Sequence, residues 1–229
     1  MKPVIKIDVV SDIVCPWCYI GKRRLEKAMS QLSSEYDFEV EYHPFELNPG
    51  LPSTGADHKT YLIDKFGSED RYEQLTGQVT RVAAQEGLEF NYDKQNVSPN
   101  TRMAHSMVQL AKLEGKHREA VEALFKAYFT DGVDLSKTEN LTAVAKSIGL
   151  ETAADERIYS DEKALSNIEK IEREMAGLGI SGVPFYIINN KYGVSGAQPA
   201  ETFVGAFREI SQESVPAETG ACDIDGKNC

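Results

Sequence analysis

Positive charge is scarce in this sequence: 25 Lys and Arg stand against 36 Asp and Glu over 229 residues, for a formal net charge of −11. A chain this acidic lacks the Lys and Arg surplus that phosphate backbones and anionic lipids select. No stretch reaches the roughly 18 uncharged apolar residues of a membrane-spanning helix. Near the start, Lys6 and Asp8 interrupt the apolar residues from Val4 to Val10, so no secretory core forms there and a cytoplasmic protein is expected. Neither a nucleic-acid nor a membrane partner is expected, and no surface stripe declares an oligomer. Tryptophan occurs once, at Trp17, and cysteine only four times, in two spaced pairs. In a reducing compartment, spaced pairs are more often catalytic or metal-binding than structural.

What is present is ordinary for a globular chain, with 41% apolar and 27% charged residues. Val4, Ile5, Ile7, Val9 and Val10 read as a buried strand broken at Ser11-Asp12. The period then changes: Tyr19, Ile20, Leu25, Ala28, Met29 and Leu32 recur at helical spacing, with Lys22, Arg23, Arg24 and Lys27 opposite. Phe38 to Tyr42 alternates as a half-buried strand. From about Lys59 to Met175 helical spacing dominates, in segments running from Gly67 to Gly87, Thr101 to about Glu114, His117 to Phe129, Leu141 to Ile148 and Ala164 to Met175. Val183 to Ile188, an Asn189-Asn190 turn and Lys191 to Val194 form a hairpin, followed by a helix from Pro199 to Ile210.

Strand–helix–strand, a helical block, then hairpin–helix predicts an α/β fold of thioredoxin type interrupted by a helical insertion. The expected division is a discontinuous thioredoxin-like domain over residues 1–46 and 179–212, a helical insertion over 47–178, and a tail over 213–229.

The strongest chemical signal is Cys15-Pro16-Trp17-Cys18, placed where the first strand gives way to a helix. Unpaired backbone N–H groups at a helix N-terminus favour a thiolate there. Pro16 suits the first turn, where its missing donor costs nothing. Cys18 follows about one turn later, within reach for a small disulfide. Cys15 is then the nucleophile and Cys18 the resolving thiol of thiol–disulfide exchange. A zinc half-site is the bland alternative, but Cys-x-x-Cys supplies two of four ligands and no histidine pair completes it, so no metal is expected. From the far end of the chain, Gly182-Val183-Pro184-Phe185 reads as a strand opened by a proline suited to a cis bond. In a thioredoxin fold this turn lies against the cysteines, with the Val183 backbone available to an extended substrate.

Three stretches together, Ser11-Asp12-Ile13-Val14-Cys15-Pro16-Trp17-Cys18-Tyr19-Ile20-Gly21, Gly182-Val183-Pro184-Phe185 and Ser195-Gly196-Ala197-Gln198-Pro199, resemble the DsbA-like oxidoreductases of the FrnE type. Asn100-Thr101-Arg102-Met103-Ala104-His105 is similar to a further motif of that family, and the likeness runs from about residue 4 to residue 210. The resemblance implies catalysis by Cys15 and Cys18 with Pro184 as the cis-proline, and a substrate surface including Pro16, Trp17 and Val183. It also implies thiol or disulfide substrates, with no bound cofactor beyond glutathione as a co-substrate. The same superfamily holds glutathione-dependent 2-hydroxychromene-2-carboxylate isomerases and kappa-class transferases, which typically carry serine where this chain has Cys15. Asn100 and Thr101 match positions near a shared substrate pocket, against the alternative of a helix N-cap.

Cys222 and Cys229 flank an Asp225-Gly226 turn signal and form a candidate redox relay to Cys15 and Cys18. Their alternative is an exposed pair without relay function. His43 to Glu46 either lines the cleft or caps a loop, His105 packs on a helix face, and Glu172 and Glu174 belong to a solvated charged face. The functional expectation is a dithiol oxidoreductase or isomerase. A glutathione-dependent isomerase or transferase and a redox-regulated binding protein for unfolded chains are the alternatives.

Overall fold

The chain was analysed as a computed structural model that describes residues 2–213. Strand β1 (Val4–Ser11) is its organising element. Ile5, Ile7 and Val9 turn inward while Val4 and Lys6 are exposed, the period-2 pattern of a strand with one face in the core. β1 pairs in parallel with β2 (Asp37–Pro44) and antiparallel with β5 (Phe185–Ile188), which pairs in turn with β6 (Tyr192–Ser195). The sheet order is therefore β2-β1-β5-β6, drawn from both ends of the chain. Asn189 and Asn190 close the last hairpin with φ of 50° and 55°, the two left-handed residues that a tight right-twisted turn requires. The mixed α/β class expected from the sequence is the class observed.

Helix α1 (Pro16–Gln31) crosses from β1 to β2 and packs on α8 (Ala200–Glu213). Phe203 and Phe207 of α8 are fully buried; Phe203 meets Tyr186 of β5 edge-on at 4.8 Å between ring centres. Between β2 and β5 lie α2 (His58–Phe66), α3 (Glu69–Gln85), α4 (Arg102–Leu113), α5 (His117–Phe129), α6 (Thr138–Ser147) and α7 (Glu162–Gly177). Two short strands, β3 (Ala56–Asp57) and β4 (Val97–Ser98), pair antiparallel among them. None of the described helices is long and apolar enough to cross a membrane.

The helical block is fastened to α1 by stacked aromatic rings and by charge. Tyr19 stacks on Phe125 at 4.8 Å, and Phe90 on Phe129 at 4.5 Å; such pairs add ~0.5–1.5 kcal/mol beyond burial. Behind them Glu122 of α5 accepts hydrogen bonds from the Tyr19 hydroxyl at 2.8 Å, from Lys22 at 2.6 Å, and from Arg23. Burial alone would raise the Glu122 carboxyl, but Arg23 and Lys22 overcome it and hold the group at about 2.

Where the sequence suggests one helix from Gly67 to Gly87, the structure starts α3 only at Glu69. Ser68 caps it, its hydroxyl accepting the Arg71 N–H at 3.2 Å. Gly67, at φ 93°, instead ends α2, a helix the apolar pattern does not delimit. The signals were local: Asp57 caps α2 by accepting the Thr60 N–H at 2.9 Å, and Gly67 terminates it.

One close approach ties the sheet to α1. A Cβ on Gly21 would stand 2.2 Å from the hydroxyl oxygen of the fully buried Tyr186, and 3.3 Å from Pro184 Cγ. Gly21→Ala is expected to cost ~1–3 kcal/mol in denaturant unfolding, as overpacking does. Adding Tyr186→Phe, which deletes the clashing oxygen, should return most of that loss in a double-mutant cycle.

Candidate active site

Cys15 occupies the N-cap position of α1, with extended backbone (φ −87°, ψ 111°) and Pro16 beginning the helix behind it. Its N–H donates to the Asp12 carbonyl at 3.0 Å, and its own carbonyl accepts the Cys18 N–H at 3.0 Å. The first turn of α1 contains no acidic side chain to compete for the free N–H groups. Cys15 Sγ lies 3.8 Å from the Val183 carbonyl oxygen, and the Val183-Pro184 peptide bond is cis. Residues 168 positions apart thus share one site. The two thiols are free.

Cys18 differs in kind. Burial pushes its thiol well up, and Cys15 beside it pushes in the same direction; the Ser11 hydroxyl and the Asp12 backbone pull the other way. Cys18 therefore holds its proton at neutral pH. Beneath the cysteine loop, the fully buried Asp12 accepts the Leu47 N–H at 2.7 Å and the Val14 N–H at 3.4 Å. It joins the Cys15 loop to the segment that follows β2. His105 Nε2 is 3.5 Å from Asp12 Oδ1 and 3.2 Å from the Phe45 carbonyl oxygen.

A hollow of about 460 Å³ opens beside Cys15. Pro16, Trp17 and Val183 share its wall with Cys15, whereas Cys18 lies behind and does not reach it. Aromatic rings from the helical block, among them Tyr92, Tyr128 and Phe129, form another part. His58 stacks with Tyr92 at 6.0 Å, and burial pushes its imidazole down to about 4, so it is neutral.

The model of the DSBA-like thioredoxin domain matches residues 6–208. The chain belongs to that family. It is an enzyme of the DsbA-like oxidoreductase class. A probable DsbA oxidoreductase from Streptomyces coelicolor is 33% identical, with a TM-score of 0.86 over 98% of this chain and 99% of that one. An uncharacterized Bacillus subtilis protein, YwbO, is 27% identical over 210 residues, covering 90% of this chain and 96% of its own. A cytosolic disulfide reductase, DsbM, of Pseudomonas aeruginosa, solved with GSH, shares the fold at 17% identity and TM-score 0.63, over 91% of this chain and 99% of that one.

Within this DSBA-like domain the other candidate residues fall in different places. Asn100 and Thr101 do not line the hollow. Asn100 donates to the Leu51 carbonyl at 3.1 Å and accepts the Arg102 N–H at 3.0 Å, holding the loop that supplies Leu51 to the wall. Thr101 is buried at the N-cap position of α4 without a side-chain capping bond. His43 bonds Asp8 at 2.8 Å across β1 and β2, also away from the hollow. Cys222 and Cys229 lie outside the described residues. The cavity-lining residues of α2 and α3 escape a reading by motif, because they are ordinary apolar positions of short helices.

Glu172 corrects an expectation: it is not on a solvated face. Because α7 packs against β2 and α4, Glu172 is half-buried and accepts the Glu46 N–H at 2.5 Å. Arg102 bonds Glu46 at 2.9 Å and Glu169 at 2.7 Å, while Glu172 faces the Glu46 carboxylate and forms no ion pair among the described residues. Burial first, and Glu46 second, push Glu172 up to about 7, with His105 opposing. A carboxyl raised in the folded state contributes stability below its unfolded value near ~4.3 and loses it as pH rises through the folded value. Wild-type stability in urea should therefore carry a component that declines between about pH 4 and about pH 7. Glu172→Gln should remove that component and leave the acid limb, set by Glu122, in place.

Proposed function

We propose that this chain performs thiol–disulfide exchange through Cys15 and Cys18, with Cys15 as nucleophile and Cys18 as resolving thiol. The observation that carries this reading is the asymmetry of the pair. Both thiols are buried, but Cys15 lines the hollow beside the Val183 carbonyl, while Cys18 lies behind it with its thiol pushed well up.

In the reductive direction the Cys15 thiolate attacks one sulfur of a substrate disulfide. A Cys15–substrate bond forms as the substrate S–S bond breaks and the second sulfur leaves as a thiolate. The Cys18 sulfur then attacks Cys15 Sγ, its proton passing to the departing thiolate. The enzyme is left as the Cys15–Cys18 disulfide, and two electrons have reached the substrate. An external thiol such as glutathione restores the dithiol; in the opposite direction a substrate dithiol does so and is itself oxidised. The Val183 backbone, which precedes the cis bond to Pro184, borders the space from which the substrate sulfur arrives, and Pro16 and Trp17 share that wall. We assign the reaction to the cytosol, where a glutathione pool supplies the reductant.

Cys15→Ser should reduce exchange, followed by dithiothreitol-dependent insulin reduction, to the uncatalysed rate; persistence of activity would sink the assignment. Cys18→Ala should still attack but accumulate enzyme–substrate mixed disulfides, visible by intact mass after acid quench.

Ser11→Ala tests the buried half of the site. Loss of its hydroxyl removes a buried polar group that favours charge on Cys18, so the resolving step should slow. Alkylation of Cys15 by iodoacetamide should keep its wild-type rate.

A further inference from the structure

Exchange chemistry by itself needs an approachable sulfur and a leaving sulfur in line with it. The hollow beside Cys15, at about 460 Å³, is larger than that and falls within the ~300–1,000 Å³ of sites that enclose whole small molecules. Its outer part is built by the helix pair α2 and α3: Tyr61, Leu62 and Phe66 from one, Leu75 and Val79 from the other. Leu47 and Leu51 continue the apolar wall toward Trp17, which is itself 38% exposed at the mouth.

The charge inventory of the wall narrows the occupant. Among the described residues that line it, and apart from the reacting Cys15 sulfur, Lys65 alone carries a formal charge at neutral pH, since His58 is neutral there, and no carboxylate contributes. Lys65 lies at the exposed rim, bonded to Asn48 Oδ1 at 3.0 Å and set over the Tyr61 ring. Glutathione would bring two carboxylates and an ammonium to a wall with one cation and no anion. Burying such groups unpaired costs several kcal/mol each, on the order of ~2–7 even for neutral polar groups. An apolar body, by contrast, gains ~25 cal/mol for each Å² it removes from water.

Resting on the exchange reading above, we propose that the substrate is a low-molecular-weight disulfide, or its thiol, with an aromatic or branched aliphatic body, neutral or bearing one carboxylate. The body lodges between α2 and α3, a carboxylate reaches Lys65, and the sulfur meets Cys15. The steps and their balance are those given above, with two electrons passing from the Cys15–Cys18 dithiol to the substrate. Glutathione enters only afterwards, attacking the enzyme disulfide at the mouth of the hollow.

Single-turnover stopped-flow kinetics of the pre-reduced full chain provide the test. The probes are dithiobis-nitrobenzoate (aryl, one carboxylate per half), dithiodipyridine (neutral aryl), bis-hydroxyethyl disulfide and glutathione disulfide. Leu75→Trp, which fills the hollow, should lower the rate ratio of aryl to hydroxyethyl disulfide about ten-fold, a loss of ~1.4 kcal/mol in selectivity. Leu62→Trp gives the same comparison from the facing helix should the first variant fail to fold. Lys65→Gln should lower the ratio of carboxylated to neutral aryl disulfide about three-fold or more. On the wild-type chain, the methyl thioether of nitrothiobenzoate, which cannot exchange, should slow alkylation of Cys15, and S-methylglutathione at equal concentration should not.

Unchanged ratios in both tryptophan variants, equal protection by the two thioethers, or selective slowing of insulin reduction would overturn the proposal. In the last case the hollow would be a polypeptide side-chain pocket. Loss of all exchange in Cys15→Ser with unchanged aryl selectivity in the filled variants would defeat the substrate assignment alone. Exchange surviving in Cys15→Ser would defeat the reading on which it rests.

Discussion

The register of β1 between its two neighbours is the constraint on which the site depends. Val10 pairs with Phe185 on one side and His43 on the other, just before the strand ends at Ser11. Counting outward from that rung brings Cys15, at the start of α1, against Val183, just before β5. A shift of one residue would turn Ile5, Ile7 and Val9 toward solvent and put Lys6 and Asp8 in the core, so burial locks the register. The same rungs bring Tyr186 under Gly21, where the absence of a side chain lets α1 approach the sheet. The setting of Cys15 and the core packing therefore rest on one alignment.

Around that frame, charge is sorted by depth. The protein as a whole is strongly acidic, yet among the described residues no carboxylate lines the hollow beside Cys15. The buried acids lie beneath and beside it, each engaged: Asp12 by backbone N–H groups of two loops, Glu46 by Arg102, Glu122 by Arg23 and Lys22. Glu172 is the exception, pushed up to about 7 by burial first and by the Glu46 carboxylate second. A largely apolar wall beside the Cys15 sulfur strengthens whatever electrostatics remain there, because apolar surroundings screen weakly. Acidity thus serves solubility at the surface and loop alignment in the interior, while the approach to the sulfur stays close to neutral.

How much of this is legible beforehand varies with the range of the interaction. The change of period after Cys15, the Asn189-Asn190 turn and the helix from His117 to Phe129 are local signals, and all three stand in the structure. Helix α2 is less legible, since Tyr61, Leu62 and Phe66 face a hollow rather than a packed neighbour and make a poor apolar stripe. Its capping residues, Asp57 and Gly67, were the better guide. Glu172 misleads for a related reason: a carboxylate on a charged helix reads as solvated until another element is seen to cover it. Asn100 is polar in a suggestive motif, but its bonds reach residues 49 and 51, which no local pattern reveals.

The class of chemistry and the architecture that carries it are legible in local sequence. Two cysteines a turn apart at a strand–helix junction, and a proline opening a later strand, are short-range facts, and backbone propensity and helix electrostatics act over that same short range. Tertiary structure alone sets how each thiol stands to the hollow and how wide that hollow is. Those depend on depth and on shape. Cys18 is protonated because the whole fold removes it from water, and the hollow beside Cys15 exists because α2 and α3 stand apart over rings supplied by Tyr92, Tyr128 and Phe129. Neither property belongs to any segment of the chain taken alone.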